Sequence, residues 1–116
     1  MTWRQVGFWE NNITLFEHTL EITSNNYLSH YNLGTALEKQ GRTEEAIEHY
    51  LKALRIRPGY VDAYNNLGVS LFSKRDVKGA IASFREALRI KPDYSRAKNN
   101  LKKVLMIQQQ NQRLKH

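Results

Sequence analysis

One stretch of this chain is written twice. Tyr27 to Tyr60 and Val61 to Tyr94 are each 34 residues long, and aligned without a gap they agree at 12 of 34 places. Two unrelated segments of ordinary residue usage would agree at about two. The fold must therefore be built from equivalent units laid one after another.

The repeated positions are packing positions. The first copy carries Leu33, Gly34, Leu37, Ala46, Tyr50, Ala53 and Pro58, and the second carries Leu67, Gly68, Leu71, Ala80, Phe84, Ala87 and Pro92 at the same offsets. Gly34 and Gly68 fall mid-helix, where glycine costs about 1 kcal/mol against alanine, so something must require the missing side chain. Ala46, Ala53, Ala80 and Ala87 are the small residues of the facing helix, and Tyr50 and Phe84 fill the wider gaps. Pro58 and Pro92 close each unit, because proline cannot continue the helical hydrogen-bond ladder.

This set of residues at this period resembles the tetratricopeptide repeat, a helix, turn and helix of 34 residues. The resemblance implies an all-α fold, an α-α solenoid of antiparallel helix pairs with about two and a half repeats plus a C-terminal capping helix. In register, residues 1–26 are the back half of an earlier unit, 27–60 and 61–94 the two full repeats, 95–111 the cap and 112–116 a frayed tail. Helices are expected near Tyr27 to Gln40, Thr43 to Ile56, Val61 to Lys74 and Val77 to Ile90. Gly41 supplies the left-handed turn of the first copy. Arg75 stands in its place in the second, so that turn is either strained or built differently, with Asp76 capping the next helix. In the cap Lys102 replaces the packing glycine, and Leu101 and Leu105 are expected to bury against the preceding helix.

The first 26 residues carry a second likeness. Trp3, Arg4, Gln5, Trp9, Leu15, Phe16, then Asn25, Asn26, Tyr27 and the triplet Asn32, Leu33, Gly34 resemble the junction in polytopic membrane proteins of the transmembrane-and-tetratricopeptide-repeat, glycosyltransferase-like type. That likeness implies a repeat tail facing away from the cytoplasm, with the parent protein embedded in a membrane and any catalytic residues outside this chain. Within the chain itself no run approaches the 18 apolar residues of a membrane span and no signal peptide is visible, which is the pattern of a soluble domain. Trp3, Phe8 and Trp9 are candidates for covering the open N-terminal end, by folding back or by weak pairing with a second copy.

Composition narrows the chemistry. There is no cysteine, which excludes disulfides and thiolate metal sites. Formal net charge is +7, yet Met1 to Tyr94 holds 12 basic and 11 acidic residues. Arg96, Lys98, Lys102, Lys103, Arg113 and Lys115 carry the excess in a segment without a single acid. That segment reads as the solvated face of a cap or as a basic helix contacting nucleic acid or anionic lipid. RNA binding by the repeats is disfavoured by the near-neutral body and the want of an aromatic and basic stripe. The histidines His18, His30, His49 and His116 read as scattered, with His30 and His49 on different helices and no second ligand at metal spacing. The glycosylation triplet Asn12, Ile13, Thr14 falls inside an expected helix and reads as chance. No cofactor, no metal and no catalytic constellation is expected, and the chain is not read as an enzyme.

Function is expected on the face lined by the first helix of each unit. Asn32, Asn66 and Asn100 occupy one equivalent position in three successive first helices, with Asn65 and Asn99 beside the last two. Asparagine offers both a donor and an acceptor, so such a row can hold the backbone of an extended peptide without reading its side chains. The row resembles that of sugar-transferase repeat domains that hold peptide this way. Its alternative is a strut between neighbouring helices. Tyr31, Thr35, Val69, Arg96 and Lys103 complete the expected groove. Repeat domains that clamp acidic C-termini resemble each other in carrying lysine where this chain has Tyr31, which leaves only Arg96 and Lys103 to attract an acidic ligand. The expected partner is a protein or an extended peptide, and the second reading is an accessory domain that recognises the acceptor polypeptide of a membrane-bound glycosyltransferase-like protein.

Overall fold

The computed structural model describes residues 26–115. Residues 1–25 of the N-terminal half-unit, the part of the junction likeness from Trp3 to Asn25, the pairing proposed for Trp3, Phe8 and Trp9, the Asn12 triplet, His18 and His116 lie outside the described residues.

The described residues form helices and no strand. In order they are α1 (Tyr27–Lys39), α2 (Thr43–Ile56), α3 (Val61–Ser73), α4 (Val77–Ile90) and α5 (Ser95–Lys115). Side chains write several of the boundaries. Asn26 Oδ1 accepts from the backbone N–H of Ser29 at 3.1 Å and caps α1. Asp76 Oδ1 accepts from the backbone N–H of Gly79 at 2.9 Å and caps α4. Pro58 and Pro92 lie in the turns after α2 and α4.

The two turns inside the repeats are built alike despite different residues. In the first, Arg42 N–H donates to Leu37 O and Gly41 N–H to Glu38 O; in the second, Asp76 N–H donates to Leu71 O and Arg75 N–H to Phe72 O. Both are helix ends closed by a left-handed residue. Gly41 has φ 81° and Arg75 φ 69°. The turn at Arg75 is therefore the strained one of the two alternatives and not a turn of different build, while Asp76 does cap the helix that follows. Helix ends differ slightly from the expectation, with α1 and α3 one residue shorter. The cap α5 runs on to Lys115 rather than ending at 111, since Gln, Arg, Leu and Lys are good helix formers and no glycine or proline interrupts them.

α1 packs on α2 and α3 on α4 as hairpins, while α2 meets α3 and α4 meets α5 to stack one unit on the next. The first helices α1, α3 and α5 also touch in succession, more closely than the second helices α2 and α4 do. The first helices thus share one face of the stack, its inner face. Ala46, Ala53, Ala80 and Ala87 are fully buried, and Tyr50 and Phe84 are each 1% exposed. A Cβ placed on Gly34 would stand 2.7 Å from the Tyr50 ring, and one on Gly68 would stand 2.5 Å from the Phe84 ring. This is why glycine is kept mid-helix.

The cap is held differently from the expectation. Ala97 and Val104 are the buried residues of α5, whereas Leu101 and Leu105 are only half-buried against the same cluster. Ala97 and Val104 lie seven residues apart on the stripe of α5 that faces α4, and Leu101 and Leu105 flank that stripe. Lys102 is exposed.

Candidate functional site

The inner face carries three rows of residues at repeat spacing: Tyr31, Asn65 and Asn99; Asn32, Asn66 and Asn100; Thr35, Val69 and Lys103. Two hydrogen bonds tie the first two rows together. Asn66 Nδ2 donates to the Tyr31 hydroxyl at 3.0 Å, and Asn100 Nδ2 donates to Asn65 Oδ1 at 3.0 Å. Each bond spans 35 residues, so the same link is made at α1 to α3 and at α3 to α5. Asn65 is 2% exposed, and its own Nδ2 lies 3.4 Å from Asn66 Oδ1. Tyr31 packs tilted or edge-on against Tyr50 and Tyr60. One amide hydrogen of Asn66 and one of Asn100 are therefore spent between helices, and the second N–H of each remains for another acceptor.

The remaining residues are arranged around an opening. Thr35, Asn66 and Val69 line a cavity of about 160 Å³ between α1 and α3, together with Glu38, Lys39, Tyr50 and Ser70. Val69 is 40% exposed at its mouth. Thr35 Oγ1 donates to the backbone carbonyl of Tyr31 at 3.0 Å, the bond a mid-helix threonine makes to the turn before it. Ser70 Oγ donates to Glu38 Oε1 at 2.8 Å, a second polar link across the two helices. Burial pushes the Tyr50 phenol above its ordinary range. Asn32, Asn99 and Lys103 are exposed. Arg96 is exposed too, its Nη1 3.9 Å from Asp62 Oδ1, which also accepts from the Tyr94 hydroxyl.

Sequence reasoning missed Tyr50, Glu38, Ser70 and Asp62 as parts of this face. For Tyr50 a signal existed: the equivalent position is Phe84, so the extra hydroxyl had no packing reason to be there. The histidines also need correction. His30 on α1 and His49 on α2 are brought together, with Nδ1 atoms 3.1 Å apart and rings stacked at 5.4 Å, because the hairpin folds residues 19 apart onto each other. Both are held below the ordinary imidazole range, by burial first and then by Lys52. No group of three or more metal-binding side chains forms among the described residues.

The family model for the tetratricopeptide repeat matches residues 15–61 and 31–95. This chain belongs to the tetratricopeptide-repeat family. A protein O-mannosyl-transferase of Caenorhabditis elegans is 34% identical over 59 residues, which is 51% of this chain and 9% of that protein. The peroxisomal targeting signal receptor of Saccharomyces cerevisiae is 38% identical over 58 residues, 49% of this chain and 10% of the receptor. The match thus spans no more than about a tenth of either relative. Among solved structures, YrrB, described as a tetratricopeptide-repeat protein with an unusual peptide-binding site, superposes with a TM-score of 0.71 at 25% identity, covering 75% of this chain and 45% of YrrB. The first repeat domain of Spaghetti (RPAP3), solved with the HSP90 peptide SRMEEVD, gives 0.76 at 19% identity over 91% of this chain and 83% of that domain. The second likeness is one of fold.

Proposed function

We propose that this tetratricopeptide-repeat chain is a non-catalytic module that binds an extended peptide along the inner face of α1, α3 and α5. The observation that carries the reading is the cavity lined by Thr35, Asn66 and Val69 between α1 and α3, helices whose exposed residues, with those of α5, include the amides Asn32 and Asn99. A backbone running along that face would meet amides at repeat spacing, with a small apolar side chain seated beside Val69. The family supports an interaction role, and the likeness to YrrB supports peptide as the ligand class. The likeness to O-mannosyl-transferases supports a second reading: the same face recognises the acceptor polypeptide as an accessory domain of a membrane-bound glycosyltransferase-like protein. No helix among the described residues is long and apolar enough to cross a membrane, so in that reading the membrane part belongs to the rest of such a protein.

The test uses peptides selected on the chain from a random library. Val69→Glu should weaken them at least tenfold, and Asn99→Ala should weaken them about 2- to 13-fold, the span of one hydrogen bond worth about 0.5 to 1.5 kcal/mol. Both should melt as the wild type does, since neither side chain is buried. Asn66→Ala should lower the melting temperature as well, because it removes the link to Tyr31. Selected peptides that bind Val69→Glu and Asn99→Ala as tightly as the wild type would place the groove elsewhere.

A further inference from the structure

The edge of the stack where one repeat hands over to the next carries a pattern that peptide binding does not use. This edge is made by two turns, Arg57 to Tyr60 between α2 and α3, and Lys91 to Tyr94 between α4 and α5. At each turn a cation lies on a tyrosine. The guanidinium carbon of Arg57 sits 4.8 Å from the ring centre of Tyr27 and 5.4 Å from that of Tyr60, and its Nη1 donates to the Tyr27 hydroxyl. Lys91 Nζ lies 5.9 Å from the ring centre of Tyr94, and the Arg96 guanidinium lies 6.0 Å from it. Arg57 and Lys91 are one repeat apart, and so are Tyr60 and Tyr94. The unit of cation plus tyrosine recurs with the register of the solenoid.

Charge is sorted between the two edges. Among the described residues, Arg55, Arg57, Arg89, Lys91, Arg96 and Lys98 on this edge are all exposed, with Arg89 paired to Glu86, and residues 55–62 and 89–98 hold two acids, Asp62, engaged by Tyr94 and Arg96, and Asp93. On the opposite edge, residues 38–48 and 74–78 hold Lys39, Arg42, Lys74, Arg75 and Lys78 against Glu38, Glu44, Glu45, Glu48 and Asp76, so the charges cancel. Arg42 pairs there with Glu45, and Lys74 with Glu44. The sequence reading found no aromatic and basic stripe because it took charge by segment. The fold makes the stripe by bringing residues 34 apart onto one edge.

We infer that this edge binds single-stranded nucleic acid. Phosphates would lie along Arg57, Lys91 and Arg96, and unpaired bases against the half-buried Tyr27, Tyr60 and Tyr94 rings and the guanidinium planes set over them. A duplex hides its base faces and would gain only the charge. A lipid surface needs large apolar side chains to insert, and Leu28 is the only exposed one beside these turns among the described residues.

The probe is a fluorescein-labelled 15-nucleotide oligouridine titrated with the full chain at 50 mM and 200 mM salt, alongside an oligodeoxythymidine and an abasic strand of the same length. Binding should weaken with salt at a slope near −2 on logarithmic axes, for three phosphates at about 0.7 each. The abasic strand should bind at least fivefold more weakly, and either sugar should serve. Lys91→Glu, whose side chain is exposed, and the double variant Arg57→Glu, Lys91→Glu should bind at least threefold and tenfold more weakly, with circular dichroism checking each fold. Oligouridine that does not bind at 50 mM salt overturns the inference. So does an abasic strand bound as tightly as oligouridine, a folded Lys91→Glu of undiminished affinity, or capture by phosphatidylserine vesicles without capture of oligouridine.

Discussion

Gly68 offers a direct test of how closely the helices of one repeat approach. Replacing it with alanine removes the glycine penalty in mid-helix, a gain of about 1 kcal/mol. Against this, the new Cβ would lie 2.5 Å from Phe84 Cε1 and 2.8 Å from both Cδ1 and Cζ. Such contacts are well inside ordinary van der Waals separation, so ring or helix must move. Phe84 is 1% exposed between the fully buried Ala80 and Ala87, and has no room to retreat. Overpacking of this kind costs about 1 to 3 kcal/mol, and a fully buried aromatic ring as the wall puts the cost toward the upper end. The net expectation is a loss of about 1 to 2 kcal/mol, a drop of roughly 4 to 16 °C in melting temperature for a domain of this size. Thermal denaturation followed by circular dichroism reads it. A double variant with Phe84→Leu completes the cycle: once the ring is trimmed, Gly68→Ala should cost nothing further, because only the propensity gain remains. If Gly68→Ala alone raises the melting temperature, propensity has won and the close approach is not what keeps the glycine.

Two more predictions follow from local features. Arg75→Gly should stabilise the chain by about 0.5 to 1 kcal/mol, since it removes about 1 to 2 kcal/mol of left-handed strain and adds back a smaller chain-entropy cost; an unchanged or lower urea midpoint would contradict the strain. The His30 and His49 pair sets a pH dependence. With both pKa values lowered on folding, the unfolded chain binds more protons, so stability is fully present above the unfolded imidazole pKa of about 6.5 and declines as pH falls through the lowered folded values. Melting temperature should fall between pH 7 and 5 in the wild type and fall less in His49→Phe, and equal slopes in the two would remove the pair as the cause.

What the sequence made legible is what repeats. The glycine facing an aromatic ring, the small alanines, the prolines after α2 and α4 and the capping Asp76 each have a local physical reason, and they placed the described helices to within a residue except at the end of α5. What escaped was set by helix rotation or by the joining of residues far apart. Val104 rather than Leu101 or Leu105 is the buried residue at the centre of the cap, a matter of which stripe of α5 meets α4. The contact between His30 and His49 and the links from Asn66 to Tyr31 and Asn100 to Asn65 depend on the pitch of hairpin and stack. A row of asparagines at one repeat position is equally consistent with strut and groove until that pitch is known.

With the pitch known, the two readings of the amide row divide by residue instead of competing for the whole row. Packing dictates identical or near-identical residues at scaffold places, and there the copies agree: Leu33, Leu67 and Leu101; Gly34 and Gly68; Ala46 and Ala80. The struts Asn66 and Asn100 belong with them, since each makes the same bond to the preceding first helix. Their counterpart Asn32 is exposed, as are Asn99, Val69, Lys103 and Arg96. At one inner-face position the copies differ in chemistry from helix to helix: Thr35, Val69 and Lys103. Stacking does not require that divergence, because a uniform residue would pack equally well at an exposed site. A ligand lying across three helices would require it, for its successive groups meet successive repeats. Discrimination among peptides should therefore follow Val69 and Lys103, while loss of Asn66 should weaken all peptides by a similar factor through the stack that holds the groove in shape.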